Sequence, residues 1–369
     1  MFSVDQKNLF KAVEEIENKL SMKAFMVGGT VRDLFLGYDP ADKDVDFVIA
    51  GDALRFAGEV VELVGGDLKR FPEFLTAKIL SPQKFPSLSE VDFASSRQEV
   101  YERPGKLPRV QSASIEKDLE RRDFTINAMA VPAIELRLWG ETSYGNVEKL
   151  SEITVDFFGG RNDLKNRLVR VLHAESFLDD PTRIFRAFRY VVRIGGSLED
   201  GTKILLKSAI ESGCLETVSR SRKLNELKKI LLEARSAEVI ALLHAEGVMS
   251  NLSLYEEERH SEIMAVLHTL DTLVPASAAS QKYRSALLLF YLNKDAKERA
   301  ATYAEYAIGR KQQAELEREA ELLLNGEKRE GAMASASDAA LYLAQVISPA
   351  HIAADSRAEL ERRMGRSVI

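Results

Sequence analysis

Residues 24–50 read A-F-M-V-G-G-T-V-R-D-L-F-L-G-Y-D-P-A-D-K-D-V-D-F-V-I-A, and the reading of this stretch decides the fold. The apolar run 24–27 predicts a strand, Gly28-Gly29 a turn, 30–36 a helix, and 44–50 a second strand. Strand side chains alternate, so Val45, Phe47 and Ile49 face one way, and Asp44 and Asp46 face the other, beside the glycine turn. Two carboxylates on neighbouring pleats repel unless a cation lies between them. Paired glycines ahead of a helix let backbone N–H groups approach a phosphate. Arg32, one turn into the helix, adds a cation where triphosphate oxygens would lie. A divalent metal and a nucleoside triphosphate held together account for the combination. Alone, a D-x-D is usually a solvated strand face and a G-G usually just a turn. The ordered pair of G-G-x-V-R-D and then D-x-D on the next strand is far more restrictive.

These residues resemble the nucleotidyltransferase superfamily that includes DNA polymerase beta, and more closely the class II tRNA nucleotidyltransferases (CCA-adding enzymes) and bacterial poly(A) polymerases. The resemblance implies an α+β fold: a mixed-sheet head, then an all-helical neck, body and tail. The expected divisions are 1–155, 156–236, 237–310 and 311–369. It also implies template-independent addition of CMP, AMP or both, from CTP and ATP, to the 3′ end of tRNA. The catalytic metals would be two Mg²⁺ ions on Asp44 and Asp46. A-adding and CC-adding partial enzymes and poly(A) polymerases share these motifs and stay open. An RNA-binding protein with a degenerate head is disfavoured by the intact carboxylates and arginines. A small-molecule nucleotidyltransferase is disfavoured by the long helical half.

At 369 residues the chain has room for two or more cores. No apolar run approaches the roughly 20 residues that cross a bilayer, and the start M-F-S-V-D-Q lacks signal-peptide character. With Cys214 as the one cysteine, an intrachain disulfide is impossible, and a cytoplasmic location without membrane or obligate protein partner is expected. The net charge of −6 argues against coating nucleic acid by bulk charge, which leaves local basic patches. None of the five histidines is followed by Asp, so the His-Asp signature of phosphohydrolase domains is absent.

Along the chain, 5–20 predicts an amphipathic helix. Asp52 caps another that runs to residue 64 and ends at Gly65-Gly66. Strands are expected at 67–71, 74–80 and 90–94. In the last, Asp92 alternates with Val91 and Phe93. It becomes a third metal carboxylate if this strand lies beside 44–50, and an edge-strand acid otherwise. Residues 95–114 are polar, with Pro104, Gly105 and Pro108, and read as an irregular functional loop. By resemblance, a flexible loop here switches the family between adding C and adding A, and its retention leans against a CC-only enzyme.

The segment 118–130, D-L-E-R-R-D-F-T-I-N-A-M-A, sets two arginines between acids. By resemblance, Arg121, Arg122 and Asp123 contact the triphosphate and ribose hydroxyls, and Asn127 supports them. Adjacent Arg and Asp supply the donor and acceptor that a 2′-OH needs. The connection 131–155 is longer than the family's short hairpin and reads as an expansion of it. Gly159-Gly160 reads as a head-to-neck hinge.

In 177–190, F-L-D-D-P-T-R-I-F-R-A-F-R-Y, Pro181 suits the first helical position, with Asp180 as its cap. Asp180 and Arg183, three apart, leave the first turn close together. A carboxylate accepts from an exocyclic amine and a guanidinium donates to a ring nitrogen or carbonyl, so the pair suits C and A over G and U. By resemblance this is the family's E-D-x-x-R base reader, with Asp179 for Glu, and Arg186 and Arg189 are further nucleotide contacts. The basic stretch 219–233 offers Arg220, Arg222, Lys223, Lys228 and Lys229 to tRNA phosphates, although a solvated helix face is the usual fate of such lysines. Residues 315–324 read as a charged helix and 326–337 as a linker.

Overall fold

The first helix starts on a reciprocal cap. In the computed structural model, which describes residues 1–40, 45–100, 109–251 and 260–273, Ser3 Oγ accepts from the Gln6 amide at 3.1 Å, and Gln6 Oε1 accepts from the Ser3 amide at 2.9 Å. Helix α1 (Val4–Leu20) buries Leu9, Phe10, Val13 and Ile16. There follow β1 (Lys23–Val27), α2 (Gly29–Phe35), β2 (Val45–Ala50) and α3 (Ala53–Val64). Asp52 caps α3, accepting from Leu54 N at 2.9 Å, and Gly65 ends it at φ 72°. Next come β3 (Asp67–Phe71), β4 (Thr76–Leu80) and β5 (Glu90–Ser95).

Among the described residues, six strands form one sheet in the order β3-β4-β5-β2-β1, with β8 (Ala130–Pro132) at its far edge. Only the β2–β5 pair is parallel; the other neighbours run antiparallel. One face packs under α1 and α3 through Phe10, Phe47, Phe56 and Phe93, with Phe47 stacked on Phe93 at 5.5 Å between ring centres. The other face carries Phe25, Val27, Val48 and Ala130, which pack with Leu119 and Ala128. Alternation therefore puts Asp46 on this second face, two residues from Val48.

The loop expected over 95–114 is corrected. β6 (Arg97–Val100) and β7 (Arg109–Ser112) pair as an antiparallel ribbon, with Gln98 opposite Gln111 and their side chains bonded at 3.1 Å. The ribbon's polar strands, β6 half-buried and β7 largely exposed, hid the pairing from a search for apolar alternation; its tip lies outside the described residues. α4 (Ile115–Glu120) follows, capped by Ser114. The expected hairpin expansion after β8 is instead two helices, α5 (Ala133–Thr142) and α6 (Val147–Ile153). α5 buries Leu136 and Trp139 and pairs Arg137 with Glu14 of α1 at 3.2 Å, so it widens the helical layer.

The Gly159-Gly160 hinge is also revised. Gly159 sits at φ 78°, and a Cβ on Gly160 would lie 2.2 Å from the Thr125 carbonyl oxygen. Glycine here allows α7 (Gly160–Lys165) to pack tightly, an arrangement pinned by Thr125 Oγ1 to Asp163 at 2.5 Å and Arg170 Nε to Asp163 at 2.8 Å. Then come β9 (Leu168–Val169), α8 (Ser176–Asp179), α9 (Arg183–Ile194), β10 (Ser197–Leu198) and α10 (Asp200–Glu211).

The chain groups into two compact units, Met1–Val218 and Ser219–Ile369. The described part of the second holds α11 (Arg220–Leu231), α12 (Ser236–Ala245) and α13 (His260–Leu273). Asp271 accepts from Ser236 Oγ at 2.6 Å and from Ala237 N at 2.8 Å, tying α12 to α13. The expectations over 311–369 lie outside the described residues. Among the described residues no helix is long and apolar enough to cross a membrane.

Candidate active site

The parallel register sets Asp46 directly opposite Asp92, and the next register sets Asp92 opposite Lys78. The condition attached to Asp92 is therefore met: its strand does lie beside β2. Asp46 is exposed and Asp92 half-buried, and Asp44 lies outside the described residues. Lys78 Nζ stands 3.2 Å from Asp92 and 2.7 Å from Glu90. Partial burial works against its charge, but the two carboxylates outweigh that and push its pKa up. Among the described residues no three His, Cys, Asp or Glu side chains converge as a metal cluster.

Beside this row lies the glycine turn. Gly28 has φ 70°, its N–H donates to Met129 O at 3.2 Å, and a Cβ there would meet Arg122 Nη1 at 2.9 Å. The positive φ favours glycine here, and the Arg122 guanidinium lies against the space a side chain would take. Arg32 is placed otherwise than expected, being 1% exposed. It donates to Asp33 at 2.6 Å and to Asn127 Oδ1 at 2.6 Å. Its guanidinium braces the Gly28-Gly29 turn from behind rather than opening to solvent.

Asn127 passes the chain of contacts on, donating to Asp123 Oδ1 at 3.0 Å. Asp123 also accepts from the Phe124 amide at 2.9 Å and from Arg186 Nε at 2.7 Å. Burial alone would raise its pKa, but Arg186, Asn127 and Arg183 overcome that and hold it at about 2. Asp118, which sequence reasoning passed over, is fully buried. It receives Arg121 at 2.7 Å, Arg122 at 2.9 Å and the Arg97 amide at 3.2 Å. Burial raises its pKa too, and Arg122 and Arg121 reverse the shift. The signal was available: Asp118 precedes the two arginines by three and four residues, one helical turn.

A cavity of roughly 210 Å³ opens beside Arg121 and is also lined by Glu99, His173, Asp179 and Arg183. Of the expected base-reading pair, Arg183 reaches this cavity, and of the two neighbouring aspartates Asp179 lines it rather than Asp180. Asp180 Oδ1 instead accepts from Thr182 N at 3.1 Å and Thr182 Oγ1 at 2.7 Å, which caps the turn into α9. Arg183 is fixed by Ser176 Oγ at 2.6 Å and the Arg121 carbonyl at 2.9 Å. Burial raises the pKa of Asp179, and burial together with Arg183 lowers that of His173, 4.0 Å away.

Residues 24–170 match the family model described as the poly(A) polymerase head domain. Over this head segment the chain is similar to poly(A) polymerases and to tRNA nucleotidyltransferases. It is 41% identical over 231 residues to the A-adding tRNA nucleotidyltransferase of Aquifex aeolicus, covering 63% of this chain and 26% of that one. It is 34% identical over 304 residues to the A-adding enzyme of Halalkalibacterium halodurans, covering 78% of this chain and 65% of that one. The chain thus spans about a quarter of the length of the first relative and under two thirds of the second. A tRNA nucleotidyltransferase complexed with a primer tRNA and an incoming ATP analog superposes with TM-score 0.68 at 28% identity, covering 96% of this chain and 98% of that one.

Helix α9 adds a feature that the motif does not spell out. Tyr190, buried, carries the guanidinium carbons of Arg32, Arg186 and Arg189 at 4.8, 5.4 and 5.1 Å from its ring centre, and its hydroxyl accepts from Arg186 at 3.0 Å. Each cation over the ring face contributes about 0.5–2 kcal/mol. Tyr190→Leu is expected to cost about 3 kcal/mol of stability through lost ring packing and unsupported cations. Tyr190→Phe should cost only about 1 kcal/mol, for one hydrogen bond. Urea unfolding of the two variants measures the gap.

On α11, Arg220 and Lys229 are exposed, while Arg222, Lys223 and Lys228 are half-buried. Lys223 Nζ donates to Asn251 O at 3.1 Å, and Lys229 pairs with Glu226 at 2.6 Å. At about 100° per residue, Arg222 and Lys229 fall on one side and Arg220, Lys223 and Lys228 spread over about 140° of the other, so these five do not form one basic stripe.

Proposed function

We propose that the chain is a template-independent RNA nucleotidyltransferase that transfers AMP, CMP or both from ATP and CTP to the 3′ end of tRNA in the cytoplasm. The observation that carries this is the in-register pair of exposed Asp46 and half-buried Asp92 beside the Gly28-Gly29 turn and Arg122. Hard carboxylate oxygens on neighbouring strands fit Mg²⁺, and Asp46 and Asp92, together with Asp44, would hold it. When bound, Mg²⁺ supplies acidification of the 3′-hydroxyl and neutralisation of the triphosphate.

Gly28 and Gly29 leave room for the phosphates, and Arg122 donates to their oxygens. Arg121 and Asp123 offer a donor and an acceptor to the ribose hydroxyls, held in place by Asp118, Asn127 and Arg186. Arg32 and Arg189 act from behind, through Asn127 and Tyr190. Arg183 donates to the ring nitrogen of C or A, and Asp180 or its neighbour Asp179 accepts from the exocyclic amine. The 3′-oxygen bonds to the α-phosphorus as the bond to the bridging oxygen of pyrophosphate breaks, and the hydroxyl proton leaves to solvent. In this reading 1–155 is the head, 156–236 the neck, 237–310 the body and 311–369 the tail, and the basic residues of α11 meet tRNA phosphates.

AMP addition is favoured over full CCA addition, because both relatives cited above are A-adding enzymes. Three tRNAs decide between these: one lacking CCA, one lacking only the final A, and one complete. The expected result is a single AMP on the second substrate and nothing on the others. CCA on the first would make it a CCA-adding enzyme, and a long tail on the complete tRNA a poly(A) polymerase.

A further inference from the structure

We propose that the open strip of sheet running from Asp46 to the β3 edge is the track for the last few nucleotides of the RNA being extended. Lys69 takes a phosphate and Phe71 stacks on a base. This rests on the reading of the chain as an RNA nucleotidyltransferase.

The registers Asp46–Asp92, Asp92–Lys78 and Lys78–Lys69 line up four side chains across β2, β5, β4 and β3 on one face. The opposite face of the same strands is closed: Ala77, Ile79, Val91 and Phe93 are buried, and Arg70 reaches toward Gly58 of α3. On the Asp46 face, Lys69 and Phe71 are exposed and Lys78 and Asp92 half-buried. Strands lie about 4.8 Å apart, so the row extends about 14 Å from Asp46 to Lys69. At the stacked rise of about 3.4 Å that is about four nucleotide steps.

Two features of the strip point to a polyanion with flat bases. Lys69 stands directly opposite Lys78; Glu90 and Asp92 already pair with Lys78, so Lys69, exposed at the edge, is the cation presented to an RNA phosphate. An edge lysine by itself discourages strand-to-strand aggregation. Phe71 and Phe74, 37% and 41% exposed at the same edge, work against that purpose. Phe71 shares the face of Lys69 by alternation, and an exposed ring accepts any base by stacking. Asp46 and Asp92 beside the reacting 3′ end and Lys69 at the far edge match an RNA strand whose terminus alone approaches the carboxylates.

The test uses the full chain and the variants Lys69→Ala and Phe71→Ala, with Lys11→Ala on α1 as a control for the loss of one exposed charge. Steady-state addition gives separate KM values for ATP and for tRNA lacking its final A. Anisotropy of a labelled acceptor minihelix across a salt series gives the binding slope. Phe71→Ala is expected to raise the KM for tRNA by about tenfold, while the KM for ATP moves by less than about twofold. Lys69→Ala should weaken minihelix binding and reduce the salt slope by about 0.7. Wild-type addition with tRNA KM and slope unchanged in both variants overturns the track while leaving the activity standing, as do equal shifts in both KM values. If the wild-type chain adds no nucleotide to any tRNA, the activity reading falls, and unchanged minihelix binding in the variants then overturns the track as well.

Discussion

Asp46→Ala is expected to abolish nucleotide addition while leaving tRNA binding largely intact. The carboxylate is exposed on the rigid β2 strand, directly opposite Asp92 and on the face that carries the glycine turn. Its removal deletes transition-state charge stabilisation without opening a cavity, so the fold should not suffer. A loss of at least about 10³-fold in kcat is the expected scale for one group devoted to developing charge. Single-turnover incorporation of labelled ATP into tRNA lacking its final A, beside filter binding of the same tRNA, measures both halves. Asp44→Ala should behave alike. A variant that still adds nucleotide at an appreciable fraction of the wild-type rate removes Asp46 from the mechanism.

The second large effect is on stability. Asp123→Ala withdraws the acceptor shared by Arg186, Asn127 and the Phe124 amide from a nearly dry site. Removing one partner of a buried ion pair leaves the other uncompensated, which typically costs about 3–5 kcal/mol. A urea midpoint close to wild type would mean that the network does not hold the head together. The same carboxylate carries a pH signature. Its folded pKa of about 2 lies below its ordinary value, so its contribution is fully present above about pH 5 and is lost as pH falls toward 2. The shift is worth about 2 kcal/mol. Asp123→Asn should flatten that part of the acid-stability curve, and an unchanged curve would assign the acid transition to other carboxylates.

Much of the architecture was legible because it is local. The cap at Asp52, the left-handed stop at Gly65 and the alternation of Val45, Phe47 and Ile49 each depend on a few neighbouring residues. The β6–β7 ribbon was not legible, since strands without an apolar face have no periodicity to detect. The helices of 131–155 were misjudged because their partner, α1, lies more than a hundred residues earlier in sequence. The glycine pair at 159–160 looked like freedom, yet the space it leaves is filled by the Thr125 carbonyl.

The chemistry divides along the same line. The sequence by itself determined which groups are available: the acids of β2 and β5, the arginines of 121–122, and the Asp-Asp-Pro-x-Arg turn. Residue type and short spacing set what a side chain can donate, accept or ligate. Only the tertiary structure decided where those groups stand. It set Asp92 opposite Asp46, buried Arg32 against Asn127 and Tyr190, and turned Asp179 rather than Asp180 toward the cavity with Arg183. Strand register and the packing of distant segments are collective outcomes of burial, and no single stretch of residues encodes them.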